Sequence, residues 1–201
     1  MNEKNLALLE ARLSAIPRLG LTDLPTSLEP LPLLNKVLGG PRLWVKQEDR
    51  TGLGFGGNKV RKLDFLLRDA IDAGADTVVS GGVVQSKSQR QVAAAAAKLG
   101  MKCHLAVYHG RVEPPSEGYE TSGNALLNRL YGAHLHDVSW TGNRNEAIVS
   151  LSRRLEAEGH KPYVVPYGVS NGLGAVAHVE TATEIARQAA SLGSTPDAII
   201  H

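Results

Sequence analysis

Cysteine is almost absent from this 201-residue sequence: Cys103 stands alone. An intramolecular disulfide is excluded, and a cysteine-ligated metal site is not expected. Aromatic residues are scarce too, with two Phe, two Trp and five Tyr. Aliphatic side chains and alanine must fill the core, which suits Val/Ile strands beneath Ala-rich helices. Charge of one sign is not in excess: the net charge is +2 and no dense Lys/Arg run occurs. A nucleic-acid partner is therefore not expected. No apolar run approaches the ~18 residues of a membrane span, so no membrane partner is expected either. The opening stretch MNEKNLALLEARLSAIP carries Glu3 and Glu10 within a short helical period and does not read as a signal peptide. A cytoplasmic setting is expected. No internal repeat or low-complexity tract is present.

What is present is alternation. Residues 1–20 read as a short amphipathic helix. The proline-rich residues 21–41 read as a winding segment with a brief helix at Leu33–Leu38, and Leu43–Gln47 as a strand. Val60, Leu63, Leu67 and Ala70 recur at helical spacing up to Gly74. Strands are then predicted at Thr77–Ser80, Lys102–Val107, Ala133–Val138 and Tyr163–Val165. Helices are predicted at Gln89–Leu99, Ser122–Leu130, Asn145–Glu158 and Leu173–Leu192. This order argues for an α/β fold with a parallel sheet and right-handed crossovers. A last strand is predicted at Asp197–Ile200, directly before the end at His201. Ligands of open α/β sheets bind beyond the carboxyl ends of strands, so the sequence reads as a fragment of a longer chain.

The stretch TGLGFGGNKVRK, Thr51 to Lys62, admits three readings. Gly52, Gly54 and Gly57 fit the dinucleotide pattern G-x-G-x-x-G. That pattern needs a strand running straight into the glycines, but Glu48–Thr51 intervenes. The acids about 20 residues on, Asp72 and Asp76, flank a helix end rather than a second strand. A second reading is a plain glycine loop between strand and helix. In the third, Lys59 is reactive. It opens a helix with Asn58 as the N-cap residue, and the helix dipole, Arg61 and Lys62 surround it with positive charge. Neighbouring cations favour the neutral amine, which Schiff-base chemistry requires.

A second stretch, Gly81 to Ser88 (GGVVQSKS), nearly matches the phosphate-binding G-x-x-x-x-G-K-[ST] loop, with Ser86 where the second glycine belongs. No later strand ends in a Mg²⁺-binding Asp. The bland reading is a helix capped by Ser86 or Ser88. The functional one adds that the helix start, with Ser86 and Gln85, holds a carboxylate.

Taken together, GGNKVRKLDFL (56–66), SGGVVQSKSQRQVAAAAAKLG (80–100), YETSGNALLNRLYGA (119–133) and PYVVPYGVSNGLGA (162–175) resemble the D-cysteine desulfhydrase / 1-aminocyclopropane-1-carboxylate deaminase family. The resemblance runs from about Leu24 to the end and rests chiefly on GGNK-x-RKL followed by QS-x-x-x-R-Q. It implies a tryptophan-synthase-β-like fold (pyridoxal-phosphate fold type II) of two open parallel-sheet domains, the larger truncated at the C-terminus. Residues 1–62 would begin the large domain, 63–170 would form the small one, and 171–201 would return to the large one. It implies pyridoxal 5'-phosphate as cofactor, Lys59 as the Schiff-base lysine, and Lys62 on the cofactor phosphate beside Asn58. It places Ser86 near the substrate carboxylate with Gln85 alongside. Lys87 stands where the family has an asparagine that bonds the pyridine 3-hydroxyl, and Ser88 where relatives have His or Gln. An ammonium at 87 can donate to the same oxygen but adds charge and bulk. The segment Gly168–Gly174 resembles a loop facing the substrate, and equally reads as a turn before a helix.

The activity implied is β-elimination on a small D-amino acid giving pyruvate, ammonia and sulfide, for which HGRVEPPSEGYETSGN (109–124) speaks. The alternative is cyclopropane ring opening to 2-oxobutanoate and ammonia. A homodimer is implied for a full-length chain. A non-catalytic fragment, or a nucleotide-binding α/β module, stays open as a different class of reading.

Overall fold

The computed structural model describes residues 3–110 and 116–200. Residues 111–115 of the HGRVEPPSEGYETSGN stretch lie outside the described residues. The described elements run in order α1 (Glu3–Ser14), β1 (Leu28–Pro30), α2 (Pro32–Leu38), β2 (Trp44–Lys46), α3 (Lys59–Asp72), β3 (Thr77–Val83) and α4 (Lys87–Leu99). They continue as β4 (Lys102–His109), α5 (Gly123–Leu130), β5 (His134–Ser139), α6 (Glu146–Ala157), β6 (Pro162–Val164) and α7 (Gly172–Ser191).

Four strands form a parallel sheet in the order β5-β4-β3-β6. Side chains of a strand alternate between faces, and the burial follows. Val78, Leu105 and Val107 belong to the larger core with Val60, Leu63, Leu66 and Leu67 of α3 and Val92, Ala95 and Ala96 of α4. Val79 and Ala106 turn to the other face, against Ile148, Leu151 and Leu155 of α6. Each fully buried leucine contributes roughly 1.5–3 kcal/mol relative to an exposed one. The alanines of α4 bring that helix close to the sheet, as the scarcity of aromatics required.

Two strands differ from the sequence reading. The proline-rich segment contains a strand, β1, paired antiparallel with β2. Pro30 cannot donate to a ladder, which suits an edge position in a two-stranded ribbon. Residues 197–200 form no strand, and Ile199 and Ile200 are exposed. A strand exists only by pairing, and no described strand lies against this one. Strand β3 also runs on through Gly81 and Gly82, which the sequence placed in a loop.

Candidate active site

Two helix starts meet here. Helix α3 begins at Lys59 after a three-residue 3₁₀ turn at Leu53–Phe55, and α4 begins at Lys87. The side chain of Gln91, 1% exposed, lies between them. Its Oε1 accepts from the backbone N–H groups of Lys59 and Val60, both at 3.0 Å. Its Nε2 donates to the Lys87 carbonyl at 2.9 Å. Gly57 makes room: a Cβ there would stand 2.6 Å from Gln91 Nε2, and its φ of +125° lies outside the usual range of L side chains.

Asn58 holds the position expected of it but not the role. Its side chain caps nothing, because Gln91 already serves the first amides of α3. Asn58 Oδ1 instead accepts from Lys59 Nζ at 3.2 Å. The Lys59 amine is held below the ordinary lysine range, first by burial and then by the charges of Lys62 and Lys87. Arg61, expected from the sequence to contribute to this charge, does not. Arg61 turns away and is fully enclosed by Glu48 and Glu184. The second cation near Lys59 is Lys87, brought in from α4.

Lys62 is 8% exposed and has no hydrogen bond or counter-ion among the described residues. Burial lowers its pKa. A desolvated ammonium without a partner is costly unless an anion arrives. His178 on α7 joins the same place. Its pKa is lowered by burial first, then by Lys62 and Lys59. The sequence reading missed His178; the only signal was a lone histidine one turn beyond the Gly168–Gly174 segment. That segment is a capping turn, in which Asn171 Oδ1 accepts from Gly174 N at 2.8 Å.

At the start of α4, Ser86 is the N-cap residue and accepts from Gln89 N at 3.3 Å. Its Oγ lies 3.0 Å from Ser88 Oγ. Gly82 permits this, since a Cβ there would meet Ser86 Oγ at 2.6 Å. Gln85 does not face the site with its amide. Its Nε2 donates to the carbonyls of Tyr119 and Ser122, and its Oε1 accepts from Asn124 N at 2.9 Å. Both donors are engaged, so Gln85 holds residues 119–124 in place. Lys87 is exposed at the first position of α4.

The dinucleotide reading of the glycine stretch finds no geometry. Strand β2 is antiparallel and ends at Lys46, with residues 47–58 before α3. Asp72 pairs with Arg68, and Asp76 accepts from Thr77 and Lys161. A cavity of about 450 Å³ elsewhere is lined by Arg18, Thr22, Asp64, Glu180 and Glu184. Its charged groups are bonded to one another or to the protein, so it carries no unmet polar demand. No group of three or more potential metal ligands occurs among the described residues. No helix among them is long and apolar enough to cross a membrane.

The profile of the pyridoxal-phosphate-dependent enzymes matches residues 20–201. The chain belongs to this family. Within it, the chain is 44% identical over 176 residues to a D-cysteine desulfhydrase of Klebsiella pneumoniae (strain 342), covering 88% of this chain and 53% of that protein. It is 43% identical over 180 residues to a D-cysteine desulfhydrase of Serratia proteamaculans (strain 568), covering 90% and 54%. The crystal structure of an ACC deaminase homologue superposes with a TM-score of 0.80 at 33% identity, over 94% of this chain and 55% of that one. A T.th. threonine deaminase shares the fold, with a TM-score of 0.60 at 20% identity over 98% and 54%. The chain spans about half the length of the curated relatives it matches. The residues present fit the family's cofactor: an amine biased toward neutrality at Lys59, and at Lys62 a mostly buried side chain whose ammonium has no counter-ion among the described residues.

Proposed function

We propose that this chain carries the lysine-bearing half of a lyase that eliminates the β-thiol of D-cysteine, giving pyruvate, ammonia and sulfide. The observation that carries the reading is Lys59: half-buried, depressed in pKa, and held at a helix start beside Lys62 and Lys87. Pyridoxal phosphate, when bound, supplies the electron sink for the carbanion at Cα. Lys59 Nζ would hold the cofactor, and the same amine would take the substrate's Cα proton. Asn58 Oδ1 orients that amine. Lys62 would hold and neutralise the cofactor phosphate. Lys87 would help hold the cofactor, and with Ser86 it would draw the substrate carboxylate to the start of α4. Gln85 contributes by holding residues 119–124 beside the site.

A second reading, opening of 1-aminocyclopropane-1-carboxylate to 2-oxobutanoate and ammonia, is favoured by the likeness to the ACC deaminase homologue. We further propose that residues 1–62 and 171–201 belong to one larger domain and 63–170 to a small one. Helix α3 spans the boundary, and the Arg61–Glu184 pair ties it to α7. The whole protein is proposed to be a cytoplasmic homodimer.

The test uses the whole gene product that carries this chain. Pyridoxal phosphate is added, borohydride reduces the lysine linkage, and the labelled peptide is mapped. Sulfide release from D-cysteine and 2-oxobutanoate formation from the cyclopropane amino acid are then compared. A label on Lys59 with sulfide release is the expected result. Absence of label at Lys59 would overturn the reading.

A further inference from the structure

The QS-x-x-x-R-Q motif places Arg90 and Gln91 next to each other, and neither has a part in the chemistry above. We propose that Gln91 is the positioning residue for Lys59: a cap supplied from another helix that fixes the amine against the start of α4. This rests on the reading of Lys59 as the cofactor lysine.

The first N–H groups of a helix lack intrahelical acceptors, and a residue at the N-cap normally serves them with its own side chain. Asn58 is the residue type for that task and stands at that position, yet its side chain does not perform it. Gln91, 31 residues from Val60 along the chain, performs it twice, for Lys59 N and Val60 N. Two consequences follow. Asn58 Oδ1 is released to hold Lys59 Nζ at 3.2 Å. And because Gln91 Nε2 donates to the Lys87 carbonyl, one buried amide sets the separation between the Lys59 backbone and the turn that carries Ser86 and Lys87. A helix capped by its own residue would keep its shape but would not be registered to α4. Arg90 completes the registration, donating from Nη2 to the Gly56 carbonyl at 2.8 Å. The two residues together clamp both sides of Gly57, where any larger residue would push against the Gln91 amide.

The test compares Gln91→Met and Gln91→Glu in the whole gene product. Met keeps the volume and removes every hydrogen bond. Glu keeps the acceptor for the two amides, replaces the donor to Lys87 by an acceptor and adds a negative charge. The readout is the rate at which pyridoxal phosphate becomes borohydride-trappable on Lys59, with amine-probe labelling of Lys59 against pH as a cofactor-free measure. Gln91→Met is expected to slow trapping about tenfold or more, the equivalent of one lost hydrogen bond to a buried group. Its labelling midpoint should rise toward that of a solvated lysine. Gln91→Glu keeps the cap but loses the bond that registers α3 to α4, so it is expected to trap at a rate between those of the parent and Gln91→Met. Parent-like trapping in Gln91→Met, or a Gln91→Glu protein as slow as Gln91→Met, overturns the proposal. Hydrogen exchange on the unaltered protein decides the matter should Gln91→Met fail to fold. The amide of Lys59 should be protected, and its exchange at the free-peptide rate would refute the cap; Val60 N also donates to the Gly57 carbonyl at 3.1 Å and does not report on Gln91 alone. A parent protein never trapped at Lys59 sinks the functional reading instead, while the exchange and amine-probe results still judge the cap.

Discussion

Replacing Arg61 by methionine should be among the most damaging single changes outside the site. The guanidinium is fully enclosed, with a side-chain exposure of 0%. It bonds Glu48 through Nε (2.7 Å) and Nη2 (2.8 Å), and Glu184 through Nη1 and Nη2 (2.8 Å each). A fifth bond reaches Thr26 Oγ1 at 3.0 Å. Methionine fills much of the volume but leaves two carboxylates facing a cavity without their counter-ion. Removing one partner of a buried pair costs about 3–5 kcal/mol. Lys46, 2.6 Å from Glu184, and the partial exposure of Glu48 (22%) place the expected loss near the lower figure.

The pH dependence separates this cause from simple loss of packing. Burial alone would raise the Glu184 pKa, but its bonds to Arg61 and Lys46 outweigh that and hold it below the ordinary range. Its contribution is therefore present above the unfolded carboxylate pKa and fades as pH falls through the folded one. In Arg61→Met the guanidinium is gone and only Lys46 still opposes burial at Glu184, so its protonation becomes easier. The gap between the two proteins should shrink from near pH 7 to near pH 5 by roughly half. Urea unfolding followed by circular dichroism at the two pH values measures it. Adding Glu48→Gln and Glu184→Gln to the variant should recover much of the loss. A gap below about 1 kcal/mol, or one that does not change with pH, would refute the reasoning.

Two further predictions concern other parts of the molecule. His104 is pushed down to about 4, first by burial and then by His134, His136, His160 and Lys102. The unfolded chain binds that proton more readily, so stability should fall as pH drops from about 6.5 toward 4, by at most ~3 kcal/mol. His104→Gln should remove this part of the slope in urea midpoints, and an unchanged profile would contradict it. Gly82→Ala drives a methyl to 2.6 Å from Ser86 Oγ. Displacing the N-cap of α4 should cost about 1–2 kcal/mol in unfolding free energy and slow cofactor trapping, whereas a neutral Gly82→Ala would show that Ser86 moves freely.

Much of this protein was written in local terms. Helices α3 to α7 were legible because apolar residues recur at helical spacing and glycines follow their ends. Gly74, Gly100, Gly132, Gly159 and Gly193 all take positive φ there. The parallel strands were legible as short Val- and Ala-bearing runs between those helices. The pairing of Lys59 with Lys62 follows from one helical turn, so the sequence by itself determined which lysines share a face. Other features depended on partners distant in the chain. Leu28–Pro30 is a strand only because Trp44–Lys46 lies beside it, and Asp197–Ile200 is not one because no described strand does.

The same distinction governs the site. Asn58 has the propensity of a cap, yet Gln91 arrives through the packing of α4 on α3 and takes that role. Arg61 carries the same charge as Lys62, but Glu184, on a helix more than a hundred residues later, draws it away and leaves Lys62 and Lys87 to shape the charge around Lys59. Propensity and periodicity act over a turn or two of chain. Hydrogen-bond partners and desolvation depend on what the completed fold brings within a few ångströms, and only the tertiary structure decided them.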